Sequence, residues 1–259
     1  MTGLTSKRLR AEVLIVLGLS LGQAGVFAIW RLIERYLAEA PIGSQTTTLH
    51  PSASEINVMD LVHQFLQIGF SLVPVALALF LLGNGTMRAR ERLGLVWNRR
   101  GPTSPHRDLA RGCGLAAVIG IPGLGLYIAG RALGQSVRID TSGLPDEWWA
   151  ATVLILSALA VALLEETVAV GYLLTRLGEM KWRVPTAIAA SALLRASYHL
   201  YQGWPMALGN LIMGLVFAAV YTRTRRLGPL IAAHALLDLV SFVGPEVLPD
   251  SWLDALNLA

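Results

Sequence analysis

Seven apolar stretches, each long enough or nearly long enough to cross a bilayer, fill most of this chain and leave few folds open to it. They cover roughly residues 11–32, 58–83, 109–130, 148–174, 185–203, 205–222 and 228–245. A membrane-spanning helix needs about 20 predominantly apolar residues. Only 15% of the residues are charged, whereas a soluble domain carries about 25%. The pattern predicts an all-α, polytopic membrane helix bundle with about seven transmembrane helices. The last three stretches are short and closely spaced. The 259 residues read as one integral membrane domain in two parts. Residues 1–147 supply N-terminal helices, a polar outer loop over 34–57 and a basic inner loop over 84–108. Residues 148–259 supply the helices that carry polar groups.

Charge sets the orientation. With the N-terminus in the cytoplasm, the inner segments hold sixteen Lys and Arg residues and the outer segments four. This is the asymmetry that the positive-inside rule requires. Adding or dropping one helix in the middle would scramble it. Asp140, Asp146, Glu147, Glu246, Asp250 and Asp254 fall outside. The net charge of +4 therefore reports membrane orientation and implies no nucleic-acid partner. The first apolar run follows Lys7, Arg8 and Arg10 but is too long for a signal peptide's core, and no clear cleavage site follows it. It reads as a retained helix. Cys113 is the sole cysteine, which excludes an internal disulfide and a cysteine-based zinc site. Nineteen arginines against two lysines suggest a GC-rich, bacterial genome, and hence the bacterial cytoplasmic membrane. Trp148 and Trp149 read as interfacial anchors.

Ionisable side chains deep in a bilayer cost at least about 2.5–3.5 kcal/mol each, so they face the protein interior and find partners. Here they concentrate in the C-terminal half. The fourth span has Glu165 and Glu166, the fifth has Arg195 and His199, and the seventh has His234 and Asp238. Arg195 and His199 are four apart and share a helix face, as do His234 and Asp238. The two glutamates diverge by about 100°, so one can face a site while the other meets a cation. With neutral histidines the six groups sum to −2, a charge that proton sharing or a metal cation would relieve. Each residue also has a packing explanation. An intramembrane histidine can simply join two helices, Asp238 can be the partner of His234, Glu166 can be structural, and Arg195 can be charge compensation for the glutamates. The joint pattern on three helices favours a site. Tyr198 reads as a hydrogen-bonding neighbour of the site or an interfacial residue, and Tyr201 and Gln202 as interfacial. His50, His63 and His106 show no pairing pattern.

"EETVAV" at 165–170, "RASYH" at 195–199 and "HALLD" at 234–238, in this order on transmembrane segments, resemble the motifs of the CPBP intramembrane proteases. This is the CAAX prenyl endopeptidase and bacteriocin-processing family, also called Abi. The likeness spans about 148–245. Two positions depart from the family pattern: the arginine of its first motif is Val170 here, and the phenylalanine of its second is Arg195. The cation has moved one helix over, where Arg195 could neutralise Glu166.

The resemblance implies an intramembrane endopeptidase acting on a peptide or membrane-protein substrate among membrane lipids. By the same likeness Glu165 is the general base that activates water. His199 orients that water, and His234 faces the developing oxyanion with Asp238 fixing its ring. Glu166 completes the catalytic set. Glu165, His199 and His234 are also a candidate zinc site with an open position, and a metal-free mechanism fits the same residues. At 1.5 Å per residue, His234 stands about 9 Å from the inner end of its span and His199 about 20 Å, so a common site requires tilt or stagger. Two rival readings remain: a non-catalytic interaction or immunity protein of the same descent, and a proton-coupled transporter, which would predict repeated halves.

Overall fold

A computed structural model describes residues 5–83, 88–96, 98, 104–140, 143–247, 249 and 251. Arg99, Arg100, Asp250 and Asp254, which enter the charge count above, lie outside them. The described chain is nearly all helix. It runs α1 (Ser6–Gly18), α2 (Leu21–Leu37), β1 (Thr46–Thr48), α3 (Asn57–Ser71), α4 (Val73–Leu82), α5 (Ala89–Arg92), α6 (Pro105–Ala132), β2 (Arg138–Asp140), α7 (Ala150–Glu165), a π-helical segment (Glu166–Tyr172), α8 (Leu173–Glu179), α9 (Val184–Tyr198), α10 (Trp204–Thr224) and α11 (Gly228–Val247).

Four of these helical stretches are long and apolar enough to cross a membrane: 57–82, 105–132, 150–179 and 204–224. The first expected span is a broken one. Its two halves, α1 and α2, meet at 53° and would make a fifth span if counted together. The break has a local cause. Ser20 returns its hydroxyl to the Val16 carbonyl at 2.6 Å, and a Cβ on Gly22 would lie 2.8 Å from the Leu17 carbonyl oxygen. The fifth and seventh expected spans, α9 and α11, are helices too. However, α9 has only 15 residues, and the apolar part of α11 is Gly228–Gly244.

The stretch 150–179 is the axis of the bundle. Within its most apolar window 67% is buried, against 6% for α6. It packs against α11 and α3, while α9 packs against α10 and α2, and α11 also lies along α6. Glycine permits the closest approaches. A Cβ on Gly214 of α10 would stand 2.8 Å from the Ala192 Cα of α9. One on Gly112 of α6 would stand 2.6 Å from the Ala232 Cβ of α11. The outward faces are apolar as lipid contact demands, with Val26, Phe27 and Trp30 on α2 and Val118 and Ile121 on α6 exposed.

Three polar clusters fix the frame. Buried Arg176 of α8 meets Glu12 of α1 at 2.7 Å and donates to the Leu81 carbonyl of α4 at 2.6 Å. Asp108 of α6 holds Arg226, just before α11, in a two-point contact at 3.1 and 2.6 Å. On the other side of the bundle β1 and β2 pair in parallel, Thr46 opposite Arg138, so the polar loop expected over 34–57 carries a short strand. Trp149 is buried there and donates to Asn57 at 2.6 Å, while Trp148 is exposed. Of the two expected anchors, only Trp148 is placed to meet a membrane interface. The α10–α11 turn passes through Arg225 in the left-handed region (φ 53°) and is tied by the Leu227 amide to the Leu93 carbonyl at 3.0 Å. Gly94, at φ 66°, closes the facing turn, where a side chain would be strained and would strike the Arg225 backbone.

Candidate active site

The two glutamates stand where the axial helix changes winding. Glu165 ends α7 and Glu166 opens the π segment, and both are buried. A π turn is wider than an α turn and leaves backbone carbonyls poorly matched, which is why such turns are short and often sit at functional sites. Here side chains take up the mismatch. Ser191 of α9 donates to the Ala169 carbonyl at 2.6 Å, and Thr175 to that of Gly171 at 2.6 Å. A Cβ on Gly171 would meet the Leu93 side chain at 2.8 Å, so the segment is also packed tightly from outside.

Arg195, Tyr198 and His199 close the end of α9. The helix stops at Tyr198, His199 caps it, and a 3-10 turn over Leu200–Gln202 follows. The spacing i, i+3, i+4 puts all three on one face. Arg195 is almost wholly buried. One guanidinium nitrogen bonds Glu166 Oε1, and the other lies 3.3 Å from Glu165 Oε2. The flat side of the group lies 5.5 Å from the Phe217 ring centroid of α10, a favourable cation–π placement. Tyr198 donates its hydroxyl to Glu165 Oε2 at 2.7 Å.

The third wall is α11. His234 Nδ1 and Glu166 Oε1 are 2.7 Å apart, which leaves Nε2 turned toward Glu165 Oε2 at 3.9 Å and Asp238 Oδ2 at 3.4 Å. The side chain that holds the His234 ring is therefore Glu166, on another helix. The expected partner Asp238 stands at the opposite nitrogen, and its Oδ2 makes no hydrogen bond among the described residues. His199 Nε2 is likewise 3.9 Å from Glu165 Oε2.

All six expected side chains thus join one cluster: Arg195, His199 and His234 meet Glu165 Oε2, while Glu166 and Asp238 join it through His234. The depth mismatch vanishes because α9 and α11 begin at different levels. His199 lies fifteen residues beyond Val184 and His234 six beyond Gly228, a stagger of about 13 Å at 1.5 Å per residue. The buried Asp108–Arg226 pair holds the start of α11 inside the bundle. The residue that sequence reasoning left undecided is Tyr198. Its place three residues after Arg195 and next to His199 was the available signal. Gln202, expected at the interface, is buried, and its carbonyl accepts from the Val137 amide at 3.3 Å. His50, His63 and His106 take no part in the site.

The arrangement holds a carboxylate between two imidazole nitrogens at a separation that one bridging molecule fills better than a direct bond. Both ring nitrogens of His199, Asp238 Oδ2 and Glu166 Oε2 are buried without a hydrogen-bond partner among the described residues. Unsatisfied polar atoms are costly in a low-dielectric interior, so the donors and acceptors are set for a small polar occupant. The side chains of His199 and Asp238 are each 18% exposed, against 0% for Glu166, so the site opens on their side. Zinc fits the donor set less well. Tetrahedral zinc would hold a histidine nitrogen and a carboxylate oxygen about 3.3 Å apart, shorter than either 3.9 Å separation, and the Arg195 cation already sits against Glu165. Among the described residues no group of three His, Cys, Asp or Glu side chains is arranged to hold a metal ion.

Residues 147–240 match the model of a family described as type II CAAX prenyl endopeptidase Rce1-like. The matched segment runs from the start of α7 into α11 and contains every residue of the site. No curated protein matches the chain, and no solved structure does.

Proposed function

We propose, on the premise that residues 147–240 are Rce1-like, that the chain is an intramembrane endopeptidase. It hydrolyses peptide bonds in or beside the bilayer with water activated by Glu165. The observation that carries this reading is the meeting of His199 Nε2 and His234 Nε2 on Glu165 Oε2, each at 3.9 Å.

Water bound between these atoms gives a proton to Glu165 as its oxygen attacks the scissile carbonyl. His199 accepts or donates one hydrogen bond to that water and fixes its lone pair. The carbonyl oxygen gains negative charge and turns toward His234 Nε2, which donates to it when the ring carries both protons. Glu166 on Nδ1 holds the plane of the ring. Glu165 then passes its proton to the leaving amine, so the two products are a carboxylic acid and an amine. Arg195 balances the two glutamates, and Tyr198 holds Glu165 in place. No step requires a metal. If zinc binds, Glu165, His199 and His234 are the ligands available, and it would supply a Lewis acid for the carbonyl.

The substrate is a membrane-associated peptide chain of the kind that a CAAX-type protease processes. We further propose seven spans with the N-terminus in the cytoplasm of a bacterium, from the charge asymmetry. The test is a peptide-cleavage screen of the purified protein by mass spectrometry, with metal analysis of the same preparation. Wild type should cleave, and His199→Ala and Glu165→Ala should lose at least about a hundredfold, as removal of an acid–base group does. Equal cleavage by all three would remove the assignment.

A further inference from the structure

Away from the site, a groove of about 720 Å³ runs between α6, α10 and the start of α11. Its walls are Leu115, Val118, Val220 and Pro229, and two arginines, Arg111 and Arg226, stand in its lining. No acid lines it. The nearby Asp108 is taken up by Arg226 through two bonds at 3.1 and 2.6 Å. Arg111 comes no nearer to Asp108 than 4.0 Å, and its side chain is 53% exposed. Exposed Arg107, Arg223 and Arg225 flank the same end of these helices. Beyond Val118 the wall continues outward as exposed Ile121 and Leu124.

An apolar channel in the lipid-facing surface, charged at one end only, is complementary to a molecule with a hydrocarbon tail and an anionic head. We propose that this groove binds one anionic phospholipid. Its phosphate meets Arg111 at the arginine-rich end, and an acyl chain lies along Leu115, Val118 and Val220. Basic pockets between transmembrane helices hold anionic headgroups in this way. A zwitterionic lipid would place its own cation against the arginines, and free phosphate would leave the apolar walls uncovered. The bound lipid would rest on Pro229 and Arg226, at the start of the helix that carries His234 and Asp238.

Gly114 supplies a clean probe. It lines the groove, and a Cβ placed on it meets nothing within 4 Å. Gly114→Leu therefore starts a side chain into the channel with no clash at its Cβ, and it improves helix propensity. The experiment is native mass spectrometry of the full chain with phosphatidylglycerol, phosphatidylcholine or inorganic phosphate, backed by thermal unfolding in each. Phosphatidylglycerol should be retained and raise Tm, and the other two should do neither. Arg111→Gln should weaken retention about fivefold, one surface cation's worth. Gly114→Leu should weaken it at least as much, while Arg138→Gln on β2 should leave it unchanged. Equal retention of both lipids, retention unaltered by Arg111→Gln and Gly114→Leu, or an equal effect of phosphate alone would each overturn the proposal.

Discussion

Arg195 carries the heaviest electrostatic duty of any side chain in the site. It touches both glutamates and is nearly wholly buried. Removing one partner of a buried ion pair costs about 3–5 kcal/mol, because the other charge is left without compensation. Arg195→Leu should therefore lower Tm steeply or abolish folding, whereas Arg195→Leu with Glu166→Gln should recover part of the loss. Arg195→Lys should be intermediate, since an ammonium cannot span two carboxylates as the planar fork does. Thermal unfolding of the four proteins checks this, and an unchanged Tm in Arg195→Leu would contradict it. The sequence offered Arg195 as charge compensation for the glutamates, and the family resemblance, with its first-motif arginine replaced by Val170, pointed to Glu166 as its partner. It could not reveal that Glu166 holds His234. That contact joins residues 68 positions apart, and the i, i+4 neighbour Asp238 was the nearer guess.

Helices were legible in outline because apolar length alone specifies them. Their irregularities were not. The π segment depends on partners elsewhere, above all Ser191 on the Ala169 carbonyl, so no local pattern in "ETVAVGY" announces it. The β1–β2 pair is likewise tertiary in origin, joining strands 92 residues apart in register. Helix packing offers a contrast two residues wide. Gly112 faces Ala232, Ala233 and Pro229 of α11 within 3.0 Å of a Cβ, while Gly114 faces open space. Gly112→Ala should destabilise the protein and disturb His234 through α11. Gly114→Ala should stabilise it by about 0.5–1 kcal/mol, the ordinary gain in a helix interior. Opposite signs in chemical or thermal unfolding would support this packing, and equal effects would contradict it.

The whole molecule is a polar site enclosed by helices whose other faces are dissolved in lipid. The two helices that carry the histidines both fall short of a full apolar span: α9 has 15 residues, and the apolar part of α11 is Gly228–Gly244. Their polar groups lower their hydropathy, and α7, α10 and α6 shield them. That is why length and composition alone identify four spans, or five with the bent pair, where charge counting expects seven. The connection outside the spans is also coupled to the core. His50, in the loop after β1, packs edge-on against Phe242 of α11 at 4.6 Å, and burial lowers its pKa from 6.5. The unfolded chain then binds the proton more readily, so this residue's contribution is present above pH 6.5 and is lost as pH falls through the lower, folded value. Tm should drop between pH 7.5 and pH 5, and His50→Gln should flatten that drop. A drop of the same size in the variant would remove His50 as its source.

The proposed chemistry rests on one carboxylate, that of Glu165. The most direct measurement is the rate of peptide-bond hydrolysis by wild type and Glu165→Gln, each in phospholipid vesicles and each shown to unfold at a similar temperature. Glutamine keeps the acceptor for Tyr198 but cannot take a proton from water. The account predicts cleavage by wild type and a loss of at least about a hundredfold in the variant; a variant that cleaves at the wild-type rate would contradict it.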